Sequence, residues 1–127
     1  MLSNVPVSAV LPAQDLARAK QFYTEKLGLP VVSDMPGGVV FGAGSGTKLV
    51  VYERKQPNKA EHTEAGFDVK DLVAEIKELT AKGVTMEQYD MPGLKTDENG
   101  IVSYGPMKSA WIKDTEGNII ALNQYVA

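Results

Sequence analysis

Cysteine is absent from this chain of 127 residues, which excludes disulfides, thiolate metal ligands and a thiol nucleophile together. Histidine occurs once, as His62, and tryptophan once, as Trp111. With a single imidazole and no nucleophile elbow around any serine, a serine-hydrolase triad has no support. Neither sign of charge dominates: 16 acidic and 13 basic side chains give a net charge of −3, and the Lys and Arg residues are scattered rather than striped. A nucleic-acid partner is therefore not expected. No apolar run approaches the roughly 20 residues that span a bilayer, and the opening residues lack a basic region followed by an apolar core. Membrane insertion and export are not expected, and a cytoplasmic location is the default. The apolar residues that are present, 43% of the chain, are enough to fill one compact domain over residues 1–127.

The most informative positive feature is an internal repeat. Residues 7–29 read as a short apolar strand, Asp15-Leu16, an amphipathic helix and a closing Gly28; residues 63–84 repeat this with Asp71-Leu72 and Gly83. The Asp-to-Gly spacing is 13 residues in the first copy and 12 in the second, and each copy then runs into short strands with a Gly-centred hairpin. The fold class that follows is α+β, with two βαβββ modules over residues 5–54 and 62–125. Two similar half-barrels of curved sheet would form one cleft, and chemistry is expected on its face.

Local signals place the elements. Residues 5–11 are β-rich and carry Pro6, which suits an edge or the start of a strand because proline donates no ladder hydrogen bond. Asp15 stands at an N-cap position, and Leu16, Ala19, Phe22, Tyr23 and Leu27 recur at helical spacing. Strands are expected near 29–35, 39–43 and 47–53, separated by Pro36-Gly37-Gly38 and Gly44-Ser45-Gly46. After a linker at 56–59 come a strand at 62–69 and a helix capped by Asp71 and buried through Leu72, Ile76 and Leu79. Strands near 84–90, 107–113 and 118–125 complete the second module. Gly28 to Gly46 spans 18 residues, whereas Gly83 to Gly117 spans 34. The difference falls largely in residues 90–105, a turn-rich insertion that is a candidate lid or, equally, a decorated surface loop.

Two motifs fail on context. Gly42-Ala43-Gly44-Ser45-Gly46-Thr47-Lys48 precedes a strand rather than a helix and lacks the Gly-Lys-Ser/Thr ending of a phosphate loop. Asp114-Thr115-Glu116-Gly117-Asn118 is too short for a calcium loop and reads as a tight turn between strands.

The run from Asp15 through Phe22-Tyr23 to Leu27-Gly28-Leu29, together with Asp114-Thr115-Glu116-Gly117-Asn118-Ile119-Ile120, resembles the vicinal oxygen chelate superfamily. That superfamily includes glyoxalase I, extradiol dioxygenases and bleomycin-resistance proteins. The resemblance spans about residues 5–125 and implies paired βαβββ modules enclosing a pocket, with a divalent metal in the members that are enzymes. The positions it implies for metal ligands are Ser8, Val50, Glu64 and Ala121. Only Glu64 is a competent donor, and a catalytic metal needs several convergent protein ligands, so no metal or other cofactor is expected. His62 and Glu64, two apart on one strand, form the remaining candidate pair for a metal or a substrate.

Alternation puts Ser8, Val10, Val50, Tyr52, Glu64, Gly66, Asp68, Ala121 and Asn123 on the faces corresponding to those positions. The candidate ligand-binding residues are Ser8, Tyr52, Glu64, Trp111 and Asn123. Glu64 is the candidate base if any reaction is catalysed, and Tyr52 and Trp111 are flat surfaces on which a planar ligand can stack. Tyr104, Met107 and Lys108 lie where the insertion ends. Three functions remain open: a metal-independent small-molecule binder similar to bleomycin-resistance proteins, a metal-dependent lyase, isomerase or ring-cleavage relative using Glu64 and His62, and a non-catalytic interaction module. A homodimer is expected, since curved sheets leave edges and apolar faces for a second copy to cover.

Overall fold

A computed structural model describes residues 1–125. The chain divides into two compact units, one comprising Met1–Lys59 with Thr115–Asn118, the other Ala60–Asp114 with the residues from Ile119 onward.

The first unit holds β1 (Ala9–Ala13), α1 (Leu16–Gln21), β2 (Val31–Met35), β3 (Gly38–Gly42) and β4 (Lys48–Glu53). Its sheet runs β1-β4-β3-β2, with β1 parallel to β4 and the other pairs antiparallel. Asp15 caps α1, its carboxylate accepting from the Arg18 amide at 3.0 Å, which satisfies a first-turn donor that has no intrahelical partner. The helix widens into a π-turn over Phe22–Lys26 and ends where Gly28 takes φ +71. Leu11 and Ala13 of β1, Val39 and Phe41 of β3 and Leu49 and Val51 of β4 alternate onto one face. They form the core with Ala19 and Tyr23, whose ring lies 5.3 Å from that of Phe41.

The opening strand corrects the sequence reading. It runs from Ala9 to Ala13 rather than over 5–11, because Ala9 pairs with Leu49 and β4 offers no partner before Lys48. Residues Leu2–Asn4 form a 3-10 turn instead, and Ser8 lies outside the ladder. The edge proline is Pro12, paired with Tyr52.

The second unit contains β5 (Thr63–Asp68), α2 (Leu72–Ala81), β6 (Asp90–Met91), β7 (Leu94–Lys95), β8 (Val102–Tyr104), β9 (Met107–Lys113) and β10 (Ile119–Tyr125). Its main sheet runs β5-β10-β9-β8, with β5 parallel to β10. Helix α2 packs on β9 and β10 and buries Leu72, Ile76 and Leu79. Asp71 caps it by accepting from the Ala74 amide at 3.1 Å, and Gly83 ends it at φ +86. Asp71→Ala should destabilise the protein by about 1 kcal/mol, read as a lower urea midpoint at unchanged slope.

A strand over 84–90 is not found. Those residues contribute one backbone hydrogen bond to the sheet, from the Glu87 amide to the Trp111 carbonyl at 2.9 Å. The ladder position beside β9 is taken by β8, which pairs Val102 with Ser109 and Tyr104 with Met107. The two segments share the edge of one long strand. The insertion is also more regular than its composition suggests. β6 and β7 form a small hairpin turned at Gly93 (φ +81), and the Asp97 carboxylate accepts from the Asn99 and Ile101 amides at 2.8 and 2.9 Å.

Candidate functional site

The second unit contains a pocket of about 370 Å³ whose chemistry is concentrated around the single tryptophan. Cross-strand pairs share a face, so the register Lys113↔Ile119 and Trp111↔Ala121, continued by Ile119↔Thr63, places Trp111, Lys113, Ile119 and Thr63 together. Trp111 on β9 donates its indole N–H to the Thr63 hydroxyl on β5 at 3.1 Å. That reach crosses β10, and the small side chain of Ala121 opposite Trp111 leaves room for it. Tyr89 stands edge-on to the indole, with ring centroids 5.6 Å apart and planes at 83°. Met91 and Leu94, from the β6–β7 hairpin, add apolar wall, so the insertion contributes to the site.

The polar side chains of the pocket include both donors and acceptors. Thr63 accepts from the indole, which leaves its own hydroxyl proton available. Lys113 holds Glu87 at 3.6 Å, too long to occupy an ammonium proton fully. Burial and, secondarily, the Glu87 carboxylate raise the Tyr89 phenol above its ordinary pKa, so it keeps its proton at neutral pH. His62 lines the pocket, and Glu61 supplies one carboxylate beside it. A second cavity of similar volume lies at the C-terminal end of α2, but it is lined by Ile76, Thr80, Val84, Met86 and Glu98 and has no aromatic surface.

The candidate residues from the sequence are dispersed. Trp111 and His62 line the pocket. Ser8 is exposed ahead of β1, and Tyr52 on β4 is 40% exposed in the first unit. Glu64 is half-buried at a bulge in β5, the one residue skipped where Thr63 pairs with Ile119 and Ala65 with Ile120. Asn123 belongs to a polar chain on the sheet: Ser109, 0% exposed, donates to its side-chain oxygen at 2.7 Å and lies 3.0 Å from the Tyr104 hydroxyl. Tyr89, Met91, Leu94 and Lys113 were not singled out from sequence. Lys113 was legible, two residues from Trp111 on the same strand face. Met91 and Leu94 sit in the turn-rich insertion, which carries no such signal, and Tyr89 lies in the segment expected as a strand over 84–90.

The chain matches the sequence profile of the Glyoxalase/Bleomycin resistance protein/Dioxygenase superfamily over residues 6–122. The protein belongs to this superfamily. A relative in Bacillus subtilis (strain 168), the uncharacterized protein YetH, is 26% identical over 98% of this chain and 100% of its own length. Solved structures of members share the superfamily fold. A glyoxalase/bleomycin resistance protein/dioxygenase from Alicyclobacillus acidocaldarius gives a TM-score of 0.74 at 18% identity, covering 98% of this chain and 93% of its own. An antibiotic binding protein from Streptomyces sp. CB03234 gives 0.71 at 24% identity, covering 96% and 98%. A genomically encoded fosfomycin resistance protein from Listeria monocytogenes gives 0.72 at 13% identity, covering 95% and 93%.

The metal that superfamily enzymes hold does not fit the residues of this member. Val50 and Ala121 have no donor atom, and the Ser8 hydroxyl lies outside the strand. Among the described residues no group of three or more His, Asp and Glu side chains could hold a metal ion. Ala121 lies beneath the reach of Trp111 to Thr63, so a larger ligating side chain there would compete with the indole for space.

Proposed function

We propose that the protein binds a small organic molecule in the Trp111 pocket without a metal, as a binding or sequestering member of its superfamily. The observation that carries this reading is the pocket itself, an indole flanked by Tyr89, Met91 and Leu94 and bordered by the polar side chains of Thr63, His62 and Lys113. Its volume lies within the range of small-ligand sites. Membership in a superfamily with an antibiotic binding protein of the same fold supports a ligand role. A cytoplasmic location and a homodimer remain part of the proposal, the homodimer tested by light scattering at tens of micromolar.

The competing reading, a glyoxalase-type or ring-cleavage metal enzyme using Glu64 and His62, is favoured by one observation, the presence of His62 in the pocket wall. Thermal unfolding separates the two, because a ligand that binds only the folded state raises the midpoint. Chelator-stripped protein should show no rise with zinc, nickel, manganese or iron(II), and a rise with planar compounds from a small-molecule library. A metal-induced rise abolished by Glu64→Ala would replace the binder with the enzyme.

A further inference from the structure

We infer that the pocket selects planar aromatic ligands carrying an anionic group, with the ring against Trp111 and the anion at Lys113 and His62. The inference rests on the reading of this pocket as a small-molecule site and adds the ligand's chemical class.

The argument is an inventory of donors and acceptors. Trp111 has spent its only N–H on Thr63, so the indole offers a ligand its π surface and nothing polar. Around that surface the Thr63 hydroxyl, the Tyr89 phenol and the Lys113 ammonium each have a proton to give, and His62 adds an imidazole with no hydrogen bond to any described residue. A ligand that satisfies these donors together must present several acceptor lone pairs on one side. A carboxylate or a comparable oxyanion does so, and its hydrogen bonds to a cation are stronger than neutral ones.

Two carboxylates oppose this. Glu61 lines the same pocket, and Glu87 stands 3.6 Å from the Lys113 ammonium. The long Glu87 contact is a loose partner that an incoming oxyanion can outcompete, so removing Glu87 should improve anion binding. A merely structural role for Lys113 does not predict that gain.

The test titrates the protein with 2-naphthoate, its neutral amide and the corresponding naphthylmethylamine, following the fluorescence of Trp111, the only tryptophan, with calorimetry in parallel. The expected order is naphthoate tightest, by about tenfold over the amide, with the amine weakest. Lys113→Met should weaken naphthoate about tenfold and leave the amide within twofold, Lys113→Arg should restore most of the loss, and Glu87→Gln should tighten naphthoate severalfold. Trp111→Leu, read by calorimetry, should weaken naphthoate and amide alike. Equal or tighter binding of the amide or amine overturns the anion assignment and leaves the pocket reading standing. No binding of any of the three up to millimolar concentration overturns the inference, while the small-molecule reading stands or falls on the thermal-unfolding screen. Thermal midpoints of each variant confirm that the fold is retained, and loss of folding in Lys113→Met shifts the decision to the Glu87→Gln gain, whose absence overturns the inference.

Discussion

Gly117→Ala is expected to destabilise the protein by about 3 kcal/mol or more, enough to remove a large fraction of the stability of a domain this size. Gly117 sits in the turn Thr115–Asn118 with φ +89, a conformation that side-chain-bearing residues rarely adopt. A Cβ placed there would lie 2.6 Å from the Asn58 carbonyl oxygen. That oxygen is backbone and cannot swing aside like the end of a flexible side chain. The surroundings are equally committed, because Asn58 donates to the Asn118 side chain at 2.6 Å and Asn118 donates to the Pro12 carbonyl at 2.9 Å. Gly93→Ala is the control: its φ is +81 but an added Cβ meets nothing within 4 Å. That variant should lose only about 1 to 2 kcal/mol from backbone strain. Urea unfolding of both variants separates the clash from the dihedral, and equal losses would show that the contact with Asn58 contributes nothing.

Glu116→Gln should be nearly as costly and should also change how the protein responds to acid. The Glu116 side chain is fully buried. It accepts from Arg18 through Nε at 2.8 Å and Nη2 at 3.0 Å, from the Asp15 amide at 2.9 Å and from the Thr115 hydroxyl at 2.7 Å. Burial by itself raises a carboxyl pKa, but these hydrogen bonds and the Arg18 charge outweigh it and bring the group from 4.5 down to about 2. A folded-state pKa below the unfolded value means that the carboxylate stabilises the fold fully above about pH 4.5. The stabilisation is lost as pH falls through that window toward 2. A shift of this size corresponds to roughly 3 kcal/mol at neutral pH. Glu116→Gln should therefore lower stability by about 2 to 4 kcal/mol at pH 7 and by much less at pH 2.5. Stability measured at both values tests the linkage, and an equal loss at the two would refute it. Arg18→Lys should not rescue geometry of this kind, since one ammonium cannot reproduce two parallel N–H donors.

Both predictions concern the turn between β9 and β10, which the sequence identified as a tight turn rather than a calcium loop. Its acidic residues are not surface decoration. Glu116 ties the turn to the start of α1, and the same Asp15 that caps the helix through its side chain donates its amide to Glu116. The resemblance carried by Asp15 and by the Asp114–Ile120 run thus involves residues that meet in one hydrogen-bonded cluster.

What the sequence made legible was local. The caps at Asp15 and Asp71 were readable because an N-cap is satisfied within three residues of itself, and positive-φ turns at Gly28, Gly37 and Gly83 were readable because glycine adopts that conformation without a Cβ clash. The β9 strand was found with its observed bounds. The strand expected over 84–90 failed because pairing is settled by competition. Residues near Glu87 and residues 102–104 both border β9, and only contacts distant in sequence decide which of them forms the ladder.

The sequence by itself determined that this protein is an α+β chain of the superfamily, because the repeat and the family motifs are carried by the residues and their spacing along the chain. Only the tertiary structure decided where the chain forms a pocket. Met91 and Leu94 come to Trp111 from a turn-rich insertion and Tyr89 from a segment expected as a strand that joins no ladder, and Thr63 reaches the indole across 48 positions of chain through a register that includes a bulge at Glu64. Such contacts arise from strand pairing and side-chain packing between segments far apart in sequence, which local propensity does not encode.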